Sequence, residues 1–219
     1  MHLRSFPQTS VFQMGYELFA GGRRLRRSGP CVTVFGSARS APGSEAYALA
    51  QELGYLLAEQ GFTVLTGGGP GVMEAASKGA KAAGGRTVGC NIRLVPAQAP
   101  NAYLDHLLTF EHFFLRKSML ISYSAGFVAL PGGLGTLDEL FEAAVLMQKG
   151  KIERTPIVLL GARFWAPLFD AVRASCLAEG TVSEADLDIF RVIDTAEEAL
   201  ALLTGAAATE LKVLGAARR

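Results

Sequence analysis

Three cysteines and three histidines are all that the 219 residues hold of the side chains most often recruited for soft-metal or redox work. Cys31, Cys90 and Cys176 are scattered, odd in number and without ligand spacing. They fit small core residues in a reducing cytoplasm better than a disulfide framework. No metal cluster and no Ser-His-Asp or Cys-His order is legible; His112, beside aromatics, reads as structural or as reaching a pocket. The 21 basic and 20 acidic residues leave a net charge of +1, which gives no electrostatic case for nucleic acid or anionic membrane. Arg23, Arg24, Arg26 and Arg27 read as a solvated flank. No apolar run reaches the ~20 residues of a membrane span, and the first residues lack the basic-then-apolar order of a signal peptide. Two nucleotide signatures are also missing. There is no Gly-Lys-Ser/Thr of a P-loop. Gly-x-Gly-x-x-Gly fails as well, since Gly67 and Gly69 are followed by Val72, and Gly133 and Gly135 by Asp138. Thr66 ends its strand with no acidic residue to hold a ribose diol, so NAD binding and ATP hydrolysis both lose support. No cofactor is called for.

What the chain has in abundance is apolar residues, half of the total, and glycine, 25 in number. Strand-like runs fall at 31–35, 62–66, 87–92, 126–130, 156–160 and 189–193. Helix-like runs fall between them at 44–60, 71–83, 113–123, 136–149, 163–178 and 195–203, the last opened by a Thr195/Glu198 capping box. This alternation predicts an α/β fold, a Rossmann-like doubly wound parallel sheet with helices on both faces and right-handed crossovers. Residues 30–206 are expected to form the nucleotide-binding domain and 207–219 a tail. Residues 1–29 are expected to form a helical arm whose apolar face carries Val11, Phe12, Met14, Leu18 and Phe19 and which breaks at Gly21-Gly22.

Three strand ends run into glycine turns that open helices: Gly36-Ser37-Ala38-Arg39, Gly67 to Gly71 ahead of Val72-Met73-Glu74, and Pro131-Gly132-Gly133-Leu134-Gly135-Thr136. In an open parallel sheet all three lie at the carboxyl edge, where such folds bind ligands. Glycines admit an anion close to backbone N–H groups, a helix start adds a positive dipole end, and Thr136 adds a hydroxyl; phosphate is the natural guest. Glu139, one turn on, is placed for chemistry beside a phosphate rather than for holding it. Each turn taken alone is equally a simple tight turn with Glu139 capping a dipole.

The segment Phe113 to Ile121 is apolar almost all round and reads as a buried helix, yet it carries Arg116 and Lys117. Cations in such company need an anionic partner: a phosphate, ribose hydroxyls or Glu139. Otherwise they snorkel or form a structural ion pair. The helix after Thr136 is apolar on more than one side, with Leu137, Leu140, Phe141 and Ala144 on one stripe and Ala143, Val145, Leu146 and Met147 beyond it. The surplus predicts a second partner, either a symmetry-related copy in a dimer or higher homo-oligomer, or the N-terminal helix of the same chain.

Taken together, Gly67-Gly68-Gly69-Pro70-Gly71-Val72-Met73-Glu74, Arg116-Lys117-Ser118-Met119 and Pro131 to Glu139 resemble the LOG family of cytokinin riboside 5'-monophosphate phosphoribohydrolases, often mislabelled lysine decarboxylases. The prefix before Pro30 is similar to that of a longer bacterial subgroup. The resemblance implies hydrolysis of a nucleoside 5'-monophosphate, such as AMP or a cytokinin riboside monophosphate, to free base and ribose 5-phosphate. It implies catalytic roles for Arg116 and Glu139. For the nucleotide and its phosphate it implies Gly132, Gly133, Gly135 and Thr136, with Gly36, Ser37, Gly68, Gly69, Met73, Glu74 and Lys117 as further candidates. Glu74 and Asp138 are possible helpers. The alternative is a carrier or sensor of a phosphorylated ligand, akin to molybdenum-cofactor carriers.

Overall fold

A computed structural model describes residues 11–93 and 98–205; the tail expected over 207–219 lies outside them. In chain order the elements are α1 (Val11–Arg26), β1 (Cys31–Phe35), α2 (Glu45–Glu59), β2 (Thr63–Thr66), α3 (Val72–Ala82), β3 (Thr87–Ile92), β4 (His106–Phe110), α4 (Phe113–Ser122), β5 (Ser124–Ala129), α5 (Leu134–Gln148), β6 (Ile157–Leu160), α6 (Ala162–Ala178), α7 (Glu184–Leu187) and β7 (Phe190–Ile193). Residues 196–205 form a further helix, α8. The seven strands make one parallel sheet in the order β4-β3-β2-β1-β5-β6-β7.

Both faces of the sheet are covered, so β1, β2, β3 and β6 are buried along their whole length rather than at alternate residues. Successive side chains still part to opposite faces. Cys31 and Phe35 of β1 join Val88, Cys90, Phe127 and Ile157 beneath α1, α4, α5 and α6, where Trp165 is fully buried. Val32 and Val34 join Val64, Val128 and Val158 beneath α2, α3 and α8. The chain lays strands outward from β1 to β4, then returns to place β5 on β1's other side. The resulting crevice at the carboxyl ends of β1 and β5 is the reversal point at which such sheets bind ligands.

The structure departs from the sequence expectations in four places. β4 has no counterpart among the expected strands. It is an edge strand whose residues alternate between half-buried and exposed until Phe110, and its short run of Leu107, Leu108 and Phe110 lies only two residues ahead of α4. The N-terminal helix does not break at Gly21-Gly22; α1 continues to Arg26, because the two glycines face Met119, Phe110 and Tyr123 and let the helix approach α4 closely. Its buried stripe is Gly21, Gly22 and Leu25, with Met14 packed at its edge, while Phe12 and Phe19 are exposed. The start of α4 is exposed at Phe113 and Phe114, and only Leu115 and the turn from Met119 to Ile121 are buried.

The apolar surplus of α5 is divided. Leu140, Ala143, Ala144 and Met147 face the sheet, and Phe141 stacks on Phe169 of α6 at 6.2 Å. Leu134 and Val145 stay exposed. The arginines at the end of α1 are exposed, as a solvated flank should be; Arg26 lies over the Tyr123 ring and Arg24 approaches His106 at the surface. Among the described residues no helix is long and apolar enough to cross a membrane.

Candidate active site

Three loops meet at the crevice and are stitched by backbone hydrogen bonds. The Ser37 N–H donates to the Pro131 carbonyl at 3.2 Å, the Val72 N–H donates to the Ser37 carbonyl at 3.0 Å, and the Leu130 N–H donates to the Phe35 carbonyl at 2.9 Å. Glycine permits this proximity. A Cβ on Gly36 would collide with Val72, and Gly71, at φ +69°, would drive one into the Ser37 carbonyl. The loops enclose a cavity of ≈ 610 Å³ whose lining includes Gly36, Ser37, Arg39, Gly67, Met73, Arg116, Gly133, Gly135, Thr136 and Glu139. That volume suits a small ligand, for which pockets run to about 300–1,000 Å³.

The amino end of α5 opens on this cavity. Gly133 is its N-cap and no side chain caps it, so the first N–H groups of the helix have no partner from the helix itself. Thr136 is buried, packed where a Cβ on Gly132 would otherwise sit. Gly133 and Gly135 differ from Gly36 and Gly71: a Cβ on either meets nothing within 4 Å, and neither has positive φ. Protein packing and backbone conformation do not demand glycine there. The space they leave faces the lumen, next to free N–H donors.

One turn further, Glu139 meets Arg116. An Arg116 terminal nitrogen lies 3.2 Å from Glu139 Oε1, with only 14% and 12% of the two side chains exposed. Arg116 Nε donates to the Cys90 carbonyl of β3 at 2.9 Å, which fixes the guanidinium at the cavity wall. Burial lifts the Glu139 pKa above the ordinary carboxylate value, and the Arg116 charge pulls the other way. The anionic partner that Arg116 requires is therefore Glu139.

The remaining candidates are placed differently. Lys117 turns to the flank of α5, 2.5 Å from Glu142 Oε2 and 3.2 Å from Asp138 Oδ1. Burial works against its charge, but those two carboxylates more than offset it and hold the ammonium above the usual lysine value. Glu74 accepts a hydrogen bond from the Tyr47 hydroxyl at 3.1 Å, and neither Glu74 nor Asp138 lines the cavity. Gly68 and Gly69 form the back of the second turn, where Asn101 fastens them: its N–H donates to the Gly68 carbonyl at 2.9 Å and its side-chain amide to the Gly69 carbonyl at 3.0 Å. Asn101 and Arg39 are not among the expected site residues. Arg39 has a signal in the sequence, its place at the end of the first glycine turn; Asn101 sits in an irregular connection and has none.

A second groove, ≈ 700 Å³, lies at the opposite edge of the sheet. Its charges are already engaged: Lys81 pairs with Asp105 at 2.7 Å, and Arg86 donates to the Ser28 carbonyl at 3.0 Å. No group of His, Cys, Asp or Glu among the described residues is arranged to hold a metal.

Residues 73–203 match a protein-family model described as "Possible lysine decarboxylase". The chain is 35% identical over 168 residues to the cytokinin riboside 5'-monophosphate phosphoribohydrolase of Mycobacterium tuberculosis, covering 74% of this chain and 88% of that one. A protein of the same name from Rhodococcoides fascians is 26% identical over 207 residues, 93% of this chain and 98% of its own. Among solved structures, the molybdenum cofactor carrier protein of Chlamydomonas reinhardtii superposes with a TM-score of 0.61 at 28% identity, over 82% of this chain and 98% of that one.

Proposed function

This chain belongs to the LOG family, and from that premise we propose that it hydrolyses the N-glycosidic bond of a nucleoside 5'-monophosphate, releasing free base and ribose 5-phosphate. The observation that carries the reading is the Arg116–Glu139 pair, one helical turn behind an uncapped α5 start whose glycines leave room for an anion.

In this reading the phosphate sits on the first N–H groups of α5 and on the Thr136 hydroxyl. Remote binding of this kind fixes the ribose and carries its anomeric carbon toward Glu139. Cleavage develops positive charge on the sugar ring, which a facing carboxylate stabilises while it orients a water molecule and accepts its proton. The water oxygen joins the anomeric carbon, the carbon–nitrogen bond breaks, and its electron pair leaves with the base, which takes up a proton. Burial makes Glu139 more basic than an exposed glutamate, an advantage in a proton acceptor. Arg116, braced by the Cys90 carbonyl, is the positioning residue that keeps the carboxylate aligned.

Lysine decarboxylation, the activity in the family model's description, requires a lysine to form a Schiff base with pyridoxal phosphate. Lys117 does not fit that group, because Glu142 and Asp138 hold it protonated. A second reading, a non-catalytic carrier, draws on the likeness to the molybdenum cofactor carrier. We further propose a homodimer, supported by exposed Leu134 and Val145 on α5 and Phe113 and Phe114 on α4. A cytoplasmic setting fits the three free thiols.

Incubation with AMP or a cytokinin riboside monophosphate, followed by chromatography for free base and ribose 5-phosphate, tests the hydrolase reading. Both products are expected, and adenosine, lacking the phosphate, is expected to react far more slowly. Tight nucleotide binding without release of base favours the carrier instead.

A further inference from the structure

The cavity wall holds one cation that the proposed hydrolysis leaves unused. Arg39 lines the cavity in company with Gly133, Gly135 and Thr136. Its backbone is not free to wander. The Arg39 N–H donates to Ser37 Oγ at 3.0 Å, and Ser37 is itself bonded through its N–H to Pro131 and through its carbonyl to Val72. The loop therefore sets Arg39 at the cavity rim, where the residue is exposed.

Among the described residues, the two cations of α4 beside the cavity are committed. Arg116 is paired with Glu139 and bonded to Cys90, and Lys117 is paired with Glu142 and Asp138 away from the lumen. The Arg39 guanidinium has no hydrogen-bond or ion-pair partner among the described residues. Within the cavity, Arg116 and Glu139 cancel, so Arg39 supplies the net positive charge. A phosphate at the start of α5 carries close to two negative charges, whereas a helix start offers about half of one positive charge. An arginine fork meets two phosphate oxygens at once, a geometry that lysine does not reproduce.

We propose that Arg39 is the side-chain counter-charge of the phosphate subsite and so the residue that makes the protein select phosphorylated over unphosphorylated ligands. The proposal rests on the nucleoside monophosphate reading for the identity of the ligand, but not on catalysis.

The test is calorimetric titration of ribose 5-phosphate, ribose, AMP and adenosine into the parent protein and into Arg39→Ala and Arg39→Lys, with AMP turnover measured in parallel. Arg39→Ala is expected to weaken both phosphorylated ligands by about ten- to hundredfold, the scale of a hydrogen-bonded charge, and to leave ribose and adenosine unchanged. KM for AMP should rise with kcat nearly constant, the thermal midpoint should not move, and Arg39→Lys should recover only part of the loss. Raising the salt concentration should weaken AMP binding more in the parent than in Arg39→Ala. Unchanged affinity for phosphorylated ligands in Arg39→Ala, an equal loss for adenosine, or no AMP binding by the parent overturns the assignment. Loss of ribose 5-phosphate binding in Arg39→Ala, with a parent that never releases base, sustains the subsite and removes the hydrolase. Release of base with Arg39→Ala indistinguishable from the parent does the reverse.

Discussion

Burial raises the proton affinity of Glu139, while the proposed chemistry uses its carboxylate. A carboxyl group whose folded pKa lies above its unfolded value contributes stability that is complete below the unfolded pKa, about 4.3 for glutamate, and is lost as pH rises through the folded value. Glu139→Gln is free of that loss. The thermal midpoint of the variant minus that of the parent should therefore widen as pH increases from the ordinary glutamate range to neutrality; a difference independent of pH counts against a raised pKa. The same substitution should lower base release by about a hundredfold or more, and the acid limb of the parent's activity profile should lie above the usual carboxylate range. Thr136→Val should weaken AMP binding by about 1.5–3 kcal/mol, the worth of a hydrogen bond to a charged oxygen, with little effect on adenosine. These residues were legible because their chemistry is local: a hydroxyl and a carboxylate at fixed steps from a glycine turn. Arg116 was legible because a cation in an apolar segment needs a partner. The buried Asn101 was not, since its part is to hold two carbonyls brought near it by the fold. Lys117 shares the setting of Arg116 in the sequence, and only helix orientation sends it to Glu142 instead of the cavity.

At the scale of elements, α5 sets packing and binding against each other at Gly135. This residue lies in the first turn of the helix, and a methyl group in place of its α-hydrogen would meet no protein atom. Gly135→Ala should keep or raise stability by about 0.4–1 kcal/mol, because alanine restricts the unfolded chain, yet its methyl group enters the space assigned to the phosphate. Chemical denaturation should show an equal or later midpoint while AMP affinity falls. A variant that binds AMP like the parent removes the anion from this helix start. The alternation of strands and helices was readable because buried parallel strands are continuous apolar runs and helix starts carry turn residues. The Thr195/Glu198 box is present as expected, with the Glu198 N–H donating to Thr195 Oγ1 at 3.2 Å. β4 escaped because its run of Leu107, Leu108 and Phe110 is short and merges with the apolar start of α4 at Phe113. The course of α1 escaped because Gly21-Gly22 signals a break locally but, against Met119 and Tyr123, serves as a contact surface.

For the whole molecule, the proposed dimer predicts a mass of two chains by light scattering at micromolar concentration. Val145→Lys, on the exposed side of α5, should shift that mass toward one chain and lower turnover if Glu139 and Arg116 depend on the partner for alignment; a monomeric parent that still cleaves AMP removes both ideas. The cysteines offer a separate view of how the molecule opens. Cys31 on β1 and Cys90 on β3 are fully buried on the same face of the sheet, and burial pushes their thiols up to about 11 and about 12. Cys176 on α6 is only partly buried. A maleimide dye added to the folded protein should therefore attach once per chain, at Cys176, and reach the other two only when the helices leave the sheet. Because β1 and β3 flank β2, slow second and third attachments, counted by mass spectrometry, would time the opening of the sheet beneath the site, and a bound nucleotide should lengthen that interval.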